Sequence, residues 1–418
     1  MLIRCLLLGS ALTLTGCNGY REIPLHDHVG EIEKTHTKDI QSVKTAFNGT
    51  INEEQAVKLA LSFNPDIRIP IINNRGWGDR EVQLRGIARP DLDLSQEEAT
   101  LSLKVDVLSL YNLLSPSERA AWRQMRIAER KQAFSEQTGA VVRLKRDVRL
   151  AFLEVARLTK YTGILSRELE SLNVYKTNVK NISNVTDVVF LLAESEVTEH
   201  IEENARELRN SILILTNLLG VDPDKELEFD LTDAFNITIM PEIKTIREMS
   251  AEVKENNWKL ISLYSQYIRK EYDLRQAYLR RWGSITVGPS VTYNKEEEQT
   301  SAGASVRVKI PWPSRGADII QDTLDERAVI AARYTAALHD LQSDVMRQYN
   351  EMQAKWKSIN NPKVSVEWLT IIMSKETESL DVSDYIEVMS KLFKQERFQI
   401  DEVSKYKMSG IILESLLK

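Results

Sequence analysis

The chain has 418 residues, 42% of them hydrophobic and 28% charged, and a formal net charge of -6. A mildly acidic chain without a basic stripe excludes nucleic acid as a partner. The balance of apolar and charged residues excludes a multi-span inner-membrane protein.

At the N-terminus Arg4 precedes an apolar run, Leu6 to Leu14, that is too short to span a bilayer. Leu14-Thr15-Gly16-Cys17 closes it on small residues and a cysteine. That pattern resembles a bacterial lipoprotein signal, so residues 1–16 are expected to be cleaved and Cys17 to carry lipid, palmitate included. Asn18, where an aspartate would retain the protein in the inner membrane, favours outer-membrane sorting under the same resemblance. With Cys5 removed and Cys17 acylated, neither of the two cysteines is left for a disulfide, a metal site or catalysis. Residues 17–50 read as a polar tether carrying His26, His28 and His36, which read as surface histidines, with the His26-x-His28 spacing as a weak metal-binding alternative. No later stretch reaches 18 consecutive apolar residues, so any membrane crossing must use strands closed into a barrel.

Ile51 to Arg68 places apolar residues at helical spacing, with Asn52 as a cap. Pro65, Pro70 and Gly76-Trp77-Gly78 interrupt it, and a second piece is expected near residues 79–88. Residues 90–108 alternate apolar and polar, as two strands do. From Ser117 a helix of near 55 residues is expected, to about Leu172, followed by a polar break at 173–186 and a helix from Asp187 to Gly220. Residues 221–244 read as an irregular connector, then a helix from Thr245 to Arg280. Residues 284–294 and 304–310 alternate again, and a helix runs from about Ala317 to Ser374. After a polar turn at 375–380 a last helix reaches the C-terminus.

The order helix, strand pair, helical hairpin thus occurs twice, over 51–220 and 245–418, with strand pairs at 90–108 and 284–311 and hairpins at 117–220 and 317–418. Residue matches support the duplication: Pro90 to Leu94 with Pro289 to Tyr293, Val185 to Val188 with Val382 to Tyr385, and Leu215 to Leu219 with Leu413 to Leu417. Four strands cannot close a transmembrane barrel, for which eight is the usual minimum, whereas three chains supply twelve.

At these positions the chain resembles the TolC-like outer-membrane efflux protein family over residues 51–418. The resemblance rests on Val57-Lys-Leu-Ala-Leu-Ser-Phe-Asn-Pro-Asp-Ile-Arg68, on Pro90 and Pro289 leading a strand in each half, on Asp187 and Asp384 after the hairpin turns, and on Leu218-Leu219-Gly220. Val306-Arg-Val-Lys-Ile-Pro-Trp-Pro-Ser-Arg-Gly316 is closer to the heavy-metal efflux branch than to the drug-efflux branch. The hairpin turns depart from the family in lacking glycine. The resemblance implies a mainly α fold with a small β part: duplicated long hairpins forming a trimeric α-barrel, and four strands per chain in a 12-stranded β-barrel. It also implies a passive exit duct partnered by a periplasmic adaptor and an inner-membrane pump, without catalytic site, metal or cofactor.

Asp187, Asp381 and Asp384 lie near the expected periplasmic tip, either as helix caps or as acidic rings around a lumen. Lys104, Asp106, Arg307 and Lys309 are candidates to line the pore, against simple solvent exposure. Val188, Val189, Leu191, Leu192, Val388 and Leu392 read as core or helix-seam residues. The sequence offers no phosphate loop, His-Glu-x-x-His or serine elbow, so an envelope enzyme is the weakest reading. The alternative to a duct is an adaptor-like or scaffold lipoprotein built from the same hairpins.

Overall fold

In the computed structural model, residues 50–67, 69, 91–97, 100–106, 108–109, 116–178, 184–221, 227–237, 246–280, 284–294, 298–309, 313–360 and 381–418 are described. The signal, Cys17, the tether to residue 49, the helical piece expected at 79–88 and the turn at 375–380 lie outside them.

The chain divides into two units, of which the smaller takes residues 1–52 and 224–230. There β1 (Thr50–Ile51) pairs in parallel with β5 (Glu228–Phe229), and the Asp230 amide donates to the Ile51 carbonyl at 3.0 Å. This short strand falls inside the expected irregular connector.

The larger unit holds the helices and the main sheet. Helix α1 (Glu53–Phe63) buries Ala56, Leu59, Ala60 and Phe63, one face of a helical repeat. Helix α2 (Pro116–Asn178) has 63 residues, which at 1.5 Å per residue is about 95 Å. Then follow α3 (Asn184–Leu219), α4 (Ile246–Asn256), α5 (Trp258–Arg280), α6 (Pro313–Asn360) and α7 (Val382–Leu417). Two helix limits differ from expectation. First, α2 does not stop at Leu172, because its last turns are packed: Tyr175 stacks on Tyr385 with centroids 3.5 Å apart and also meets Phe190. Second, the helix expected over 245–280 is two helices, broken at Asn257.

Helix α2 is the hub, packing against α3, α5 and α7, while α6 packs against α5 and α7. The α2–α3 seam is a coiled-coil one. Phe190, Val197 and Asn204 of α3 are buried at heptad spacing. The polar member donates from Nδ2 to the Leu158 carbonyl at 3.1 Å and to Thr162 Oγ1 at 2.9 Å. A second core joins α4, α5, α6 and α7 through Met249, Val253, Leu260, Leu341, Met352, Tyr406 and Leu413.

The sheet contains β2 (Asp91–Glu97), β3 (Thr100–Asp106), β6 (Ser284–Asn294) and β7 (Gln299–Lys309), all antiparallel, in the order β2-β3-β6-β7. A two-residue piece, β4 (Leu108–Ser109), continues β3 along β6. Lys104 pairs with Ser290 but Leu108 with Val287. Three residues of one strand therefore face two of the other, which is a β-bulge. Pro289 sits at that break. A proline inside a central strand removes a ladder donor, and a bulge is where its loss is tolerated. Pro289 thus does not lead its strand. Counted back from the hairpin turns, where Glu97 matches Asn294, its counterpart is Leu92 and not Pro90.

Candidate functional site: an amphipathic sheet, two helix junctions and the hairpin ends

Directly paired positions in a sheet share a face, and neighbours along a strand alternate. The register therefore sorts the sheet completely. On one face Leu94 pairs with Leu103, and Leu103 with Val291; Leu101 pairs with Tyr293, Leu108 with Val287 and Val306 with Val287. The bulge returns Leu108 to this face. Val291, Tyr293 and Val306 are exposed large apolar residues. The other face is polar and holds all four candidate pore residues. Lys104 stands between Asp93 and Ser290, Asp106 opposite Asp91, Arg307 opposite Thr286 and Lys309 opposite Ser284.

At the hairpin ends, Asp381 precedes α7 and its carboxylate accepts from the Val382 amide at 2.8 Å. Asp384 follows in the first turn of α7, exposed. Asp187 lies in the first turn of α3 and pairs with Lys176 at the end of α2 at 3.3 Å. Tyr175, Phe190 and Tyr385 bring the two hairpins together beside these carboxylates.

At the opposite end of the hairpins lies a device that sequence reasoning missed. Helix α1 ends at Asn64, whose Nδ2 donates to the Leu218 carbonyl in the last turn of α3 at 3.0 Å, while its Oδ1 accepts from the Asp66 amide at 2.8 Å. Helix α4 ends at Asn257, whose Nδ2 donates to the Leu416 carbonyl in the last turn of α7 at 2.8 Å, while its Oδ1 accepts from the Lys259 amide at 3.0 Å. Each asparagine thus satisfies a carbonyl left free at one helix end and an amide left free at another. The Trp258 amide completes the second junction by donating to the Lys418 carbonyl at 3.2 Å, so α7 and α5 abut end to end. The Trp258 carbonyl in turn accepts from Ser135 Oγ, and the Arg143 guanidinium lies 4.5 Å from the indole centroid. Only glycine fits at position 139 of α2, because a Cβ there would overlap the Trp258 ring. At the first junction α3 closes in a Schellman turn: Gly220 has φ 67°, the Gly220 amide bonds to Asn217 and the Val221 amide to Thr216.

Among the described residues no group of three or more His, Cys, Asp or Glu side chains could hold a metal, and no helix is long and apolar enough to cross a membrane.

No protein-family model and no curated protein matches the chain. Solved structures do. CusC, described for conformational changes accompanying folding and transmembrane channel formation, aligns over 87% of this chain and 91% of its own, with a TM-score of 0.71 and 12% identity. The outer membrane protein VceC from Vibrio cholerae aligns over 87% and 95% respectively, with a TM-score of 0.67 and 13% identity. A membrane protein from Pseudomonas aeruginosa aligns over 88% and 93%, with a TM-score of 0.68 and 13% identity. The chain has the fold of the TolC-like outer-membrane channels.

In this channel fold the two repeats are packed unequally. Helix α7 lies against both α6 and α2. Its contact with α2 is a ladder of ion pairs: Arg149 to Glu414 at 2.6 Å, Arg157 to Asp401 at 3.3 Å, Arg167 to Glu396 at 2.7 Å and Arg397 to Glu168 at 2.7 Å. Burial pushes the Glu168 carboxyl above the usual glutamate range, with Arg397 pulling the other way. Helix α3, the counterpart of α7, rests mainly on α2 alone. Val188, Leu191, Leu192, Leu213 and Ile214 on its outer side are each at least half exposed. Of the residues expected in the core or a helix seam, Leu392 is buried on α7, while Val188, Leu191 and Leu192 lie outside the core of this chain, whose α2–α3 seam takes Phe190 and Val197 instead.

Proposed function

We propose that three copies of this chain form an outer-membrane channel that serves as the passive exit duct of an efflux or export system. The observation that carries this reading is the sheet: four strands with one mainly apolar face, interrupted at Gln96 and Thr300 beside the hairpin turns, one polar face and, among the described residues, two edges without a partner strand, set within a duplicated frame of long helices. Three such sheets supply the twelve strands of a closed barrel, with the apolar face on lipid and Lys104, Asp106, Arg307 and Lys309 on the lumen. The helices support the same closure. Within one chain α7 is covered by α2 of the other repeat, and the uncovered side of α3 calls for α6 of the next copy in the equivalent place. In that ring Asp187, Asp381 and Asp384 form carboxylate rings at the periplasmic tip, where an adaptor and an inner-membrane pump engage. Lipid on Cys17 holds the tether to the same membrane. The run Val306 to Gly316 favours a pump of the heavy-metal efflux branch.

The test is electron-microscopic imaging of the full-length lipidated protein in detergent. A three-fold hollow cylinder is expected, longer than α2 alone, which spans about 95 Å. Compact monomers or solid rods would overturn the duct. Mass spectrometry of the mature N-terminus tests the anchor: a diacylated or triacylated cysteine at position 17 is expected, and an unmodified one refutes it.

A further inference from the structure

The two edges of the sheet are charged in opposite senses, on the same face and at the same end. The hairpin turns between β2 and β3 and between β6 and β7 mark one end of the sheet; Asp91 and Lys309 lie at the other. On the polar face edge strand β2 places Asp91 and Asp93, and edge strand β7 places Arg307 and Lys309. Inside the chain this arrangement is unbalanced. In the register Asp91 stands directly opposite Asp106, a like-charge pairing of the kind that destabilises a sheet, and Lys104 stands opposite Asp93. Arg307 and Lys309 face Thr286 and Ser284, with no carboxylate across from them in the register.

Resting on the trimer reading, we propose that β7 of one copy pairs antiparallel with β2 of the next in a single register, Asp93 opposite Arg307 and Asp91 opposite Lys309. A shift by one residue would set apolar positions against polar ones and is excluded by the two faces. Shifts by two in either direction keep the faces but leave one opposite-charge pair instead of two. The chosen register also sets Leu92 against Val308, Leu94 against Val306 and Ser95 against Ser305. The second copy thereby supplies the cations that the Asp91–Asp106 pair lacks. The free edges, which would otherwise invite indiscriminate strand pairing, recognise each other by charge.

Disulfide trapping in the full-length protein tests the register, because cross-strand positions two residues out of register are too far apart to bridge. Ser95→Cys with Ser305→Cys and Leu94→Cys with Val306→Cys are both examined, since adjacent pairs alternate between close and wide spacing. Inter-chain cross-links from at least one of these pairs are expected. Ser95→Cys with Gly303→Cys and Glu97→Cys with Ser305→Cys are expected to give none. Cross-links confined to either of the latter pairs would overturn the register while leaving the trimer standing. Absence of all cross-links in a chain that migrates as a monomer would remove both. Charge reversal provides the second readout. Asp93→Arg and Arg307→Asp should each lower the temperature at which the assembly dissociates in detergent, and the double variant should lose less than the two single losses added together, the remaining loss being the Asp93–Lys104 pairing inside the chain. Unchanged single variants, or simply additive losses in the double, would overturn the ion pair.

Discussion

Replacing Asn257 with alanine should destabilise the protein by about 2–4 kcal/mol per chain. The Asn257 side chain is 2% exposed, so water cannot replace what it offers. Two losses combine. The Leu416 carbonyl loses its donor at 2.8 Å, and a buried acceptor left unsatisfied costs about 1–3 kcal/mol. The Lys259 amide loses the cap at 3.0 Å, and removing an asparagine N-cap costs about 0.5–2 kcal/mol. Serine separates the two, since its shorter side chain can still cap α5 but cannot reach Leu416. Asn257→Ser should therefore recover about 1 kcal/mol of the alanine loss. The assay is thermal unfolding of the purified protein in detergent, followed by helical circular dichroism, with exposed Asn350→Ala as the reference. If Asn257→Ala shifts the transition no more than Asn350→Ala does, the junction does not hold α7 to α5 and the reasoning fails.

Gly220→Ala and Gly163→Ala should differ in sign by the same assay. The first puts a Cβ on a residue at φ 67° and within 2.8 Å of the Phe63 carbonyl, and is expected to destabilise. The second adds a methyl to an exposed helical position with nothing within 4 Å, and is expected to stabilise by about 0.5–1 kcal/mol. Asn204→Leu should leave stability within about 1 kcal/mol, because Asn204 already leaves its buried Oδ1 without a partner. It should, however, broaden spin-label distances between α2 and α3, since the polar residue fixes the seam register; unchanged widths would refute that role. Glu168 and Glu414 should have opposite pH signatures. The folded-state pKa of Glu168 is raised, so its contribution is present at low pH and lost as pH rises through that value. Wild type should therefore gain stability over Glu168→Gln as pH falls from neutral. For Glu414 burial acts upward, but the bonds from Lys418 and Arg149 override it and hold the carboxyl low. Its contribution is present at neutral pH and lost on acidification, so wild type should lose its advantage over Glu414→Gln as pH falls.

The strand pairs were legible because a two-residue alternation has one structural meaning once one face must be apolar. The two junctions were less so. Helices α1 and α4 each have 11 residues and each ends at an asparagine, which is the signal that could have found them. It was hidden because Asn64 and Asn257 lie 193 positions apart, whereas the hairpins repeat at 197 to 198, and because Asn257 has no proline after it to announce a break. Pro289 misled for a related reason. A proline beside alternating residues reads as a strand start, whereas the bulge that accommodates it inside β6 depends on a partner strand almost two hundred residues earlier. The apolar residues of α3 show a third limit. Periodicity reports that Leu191 and Leu192 need covering, but it does not report whether the cover comes from the same chain.

That half-covered helix also constrains how the protein is made. A newly delivered chain can complete its own hairpins and zip α2 against α7, yet it still presents Leu191, Leu192, Leu213 and Ile214 to water. Such a chain is sticky for as long as it is alone. In the proposed trimer, maturation is a race between meeting two siblings and clumping with strangers, and its outcome depends on how many chains arrive at once. Slow, sparse synthesis favours an escort that shields α3, whereas dense, local synthesis can dispense with one.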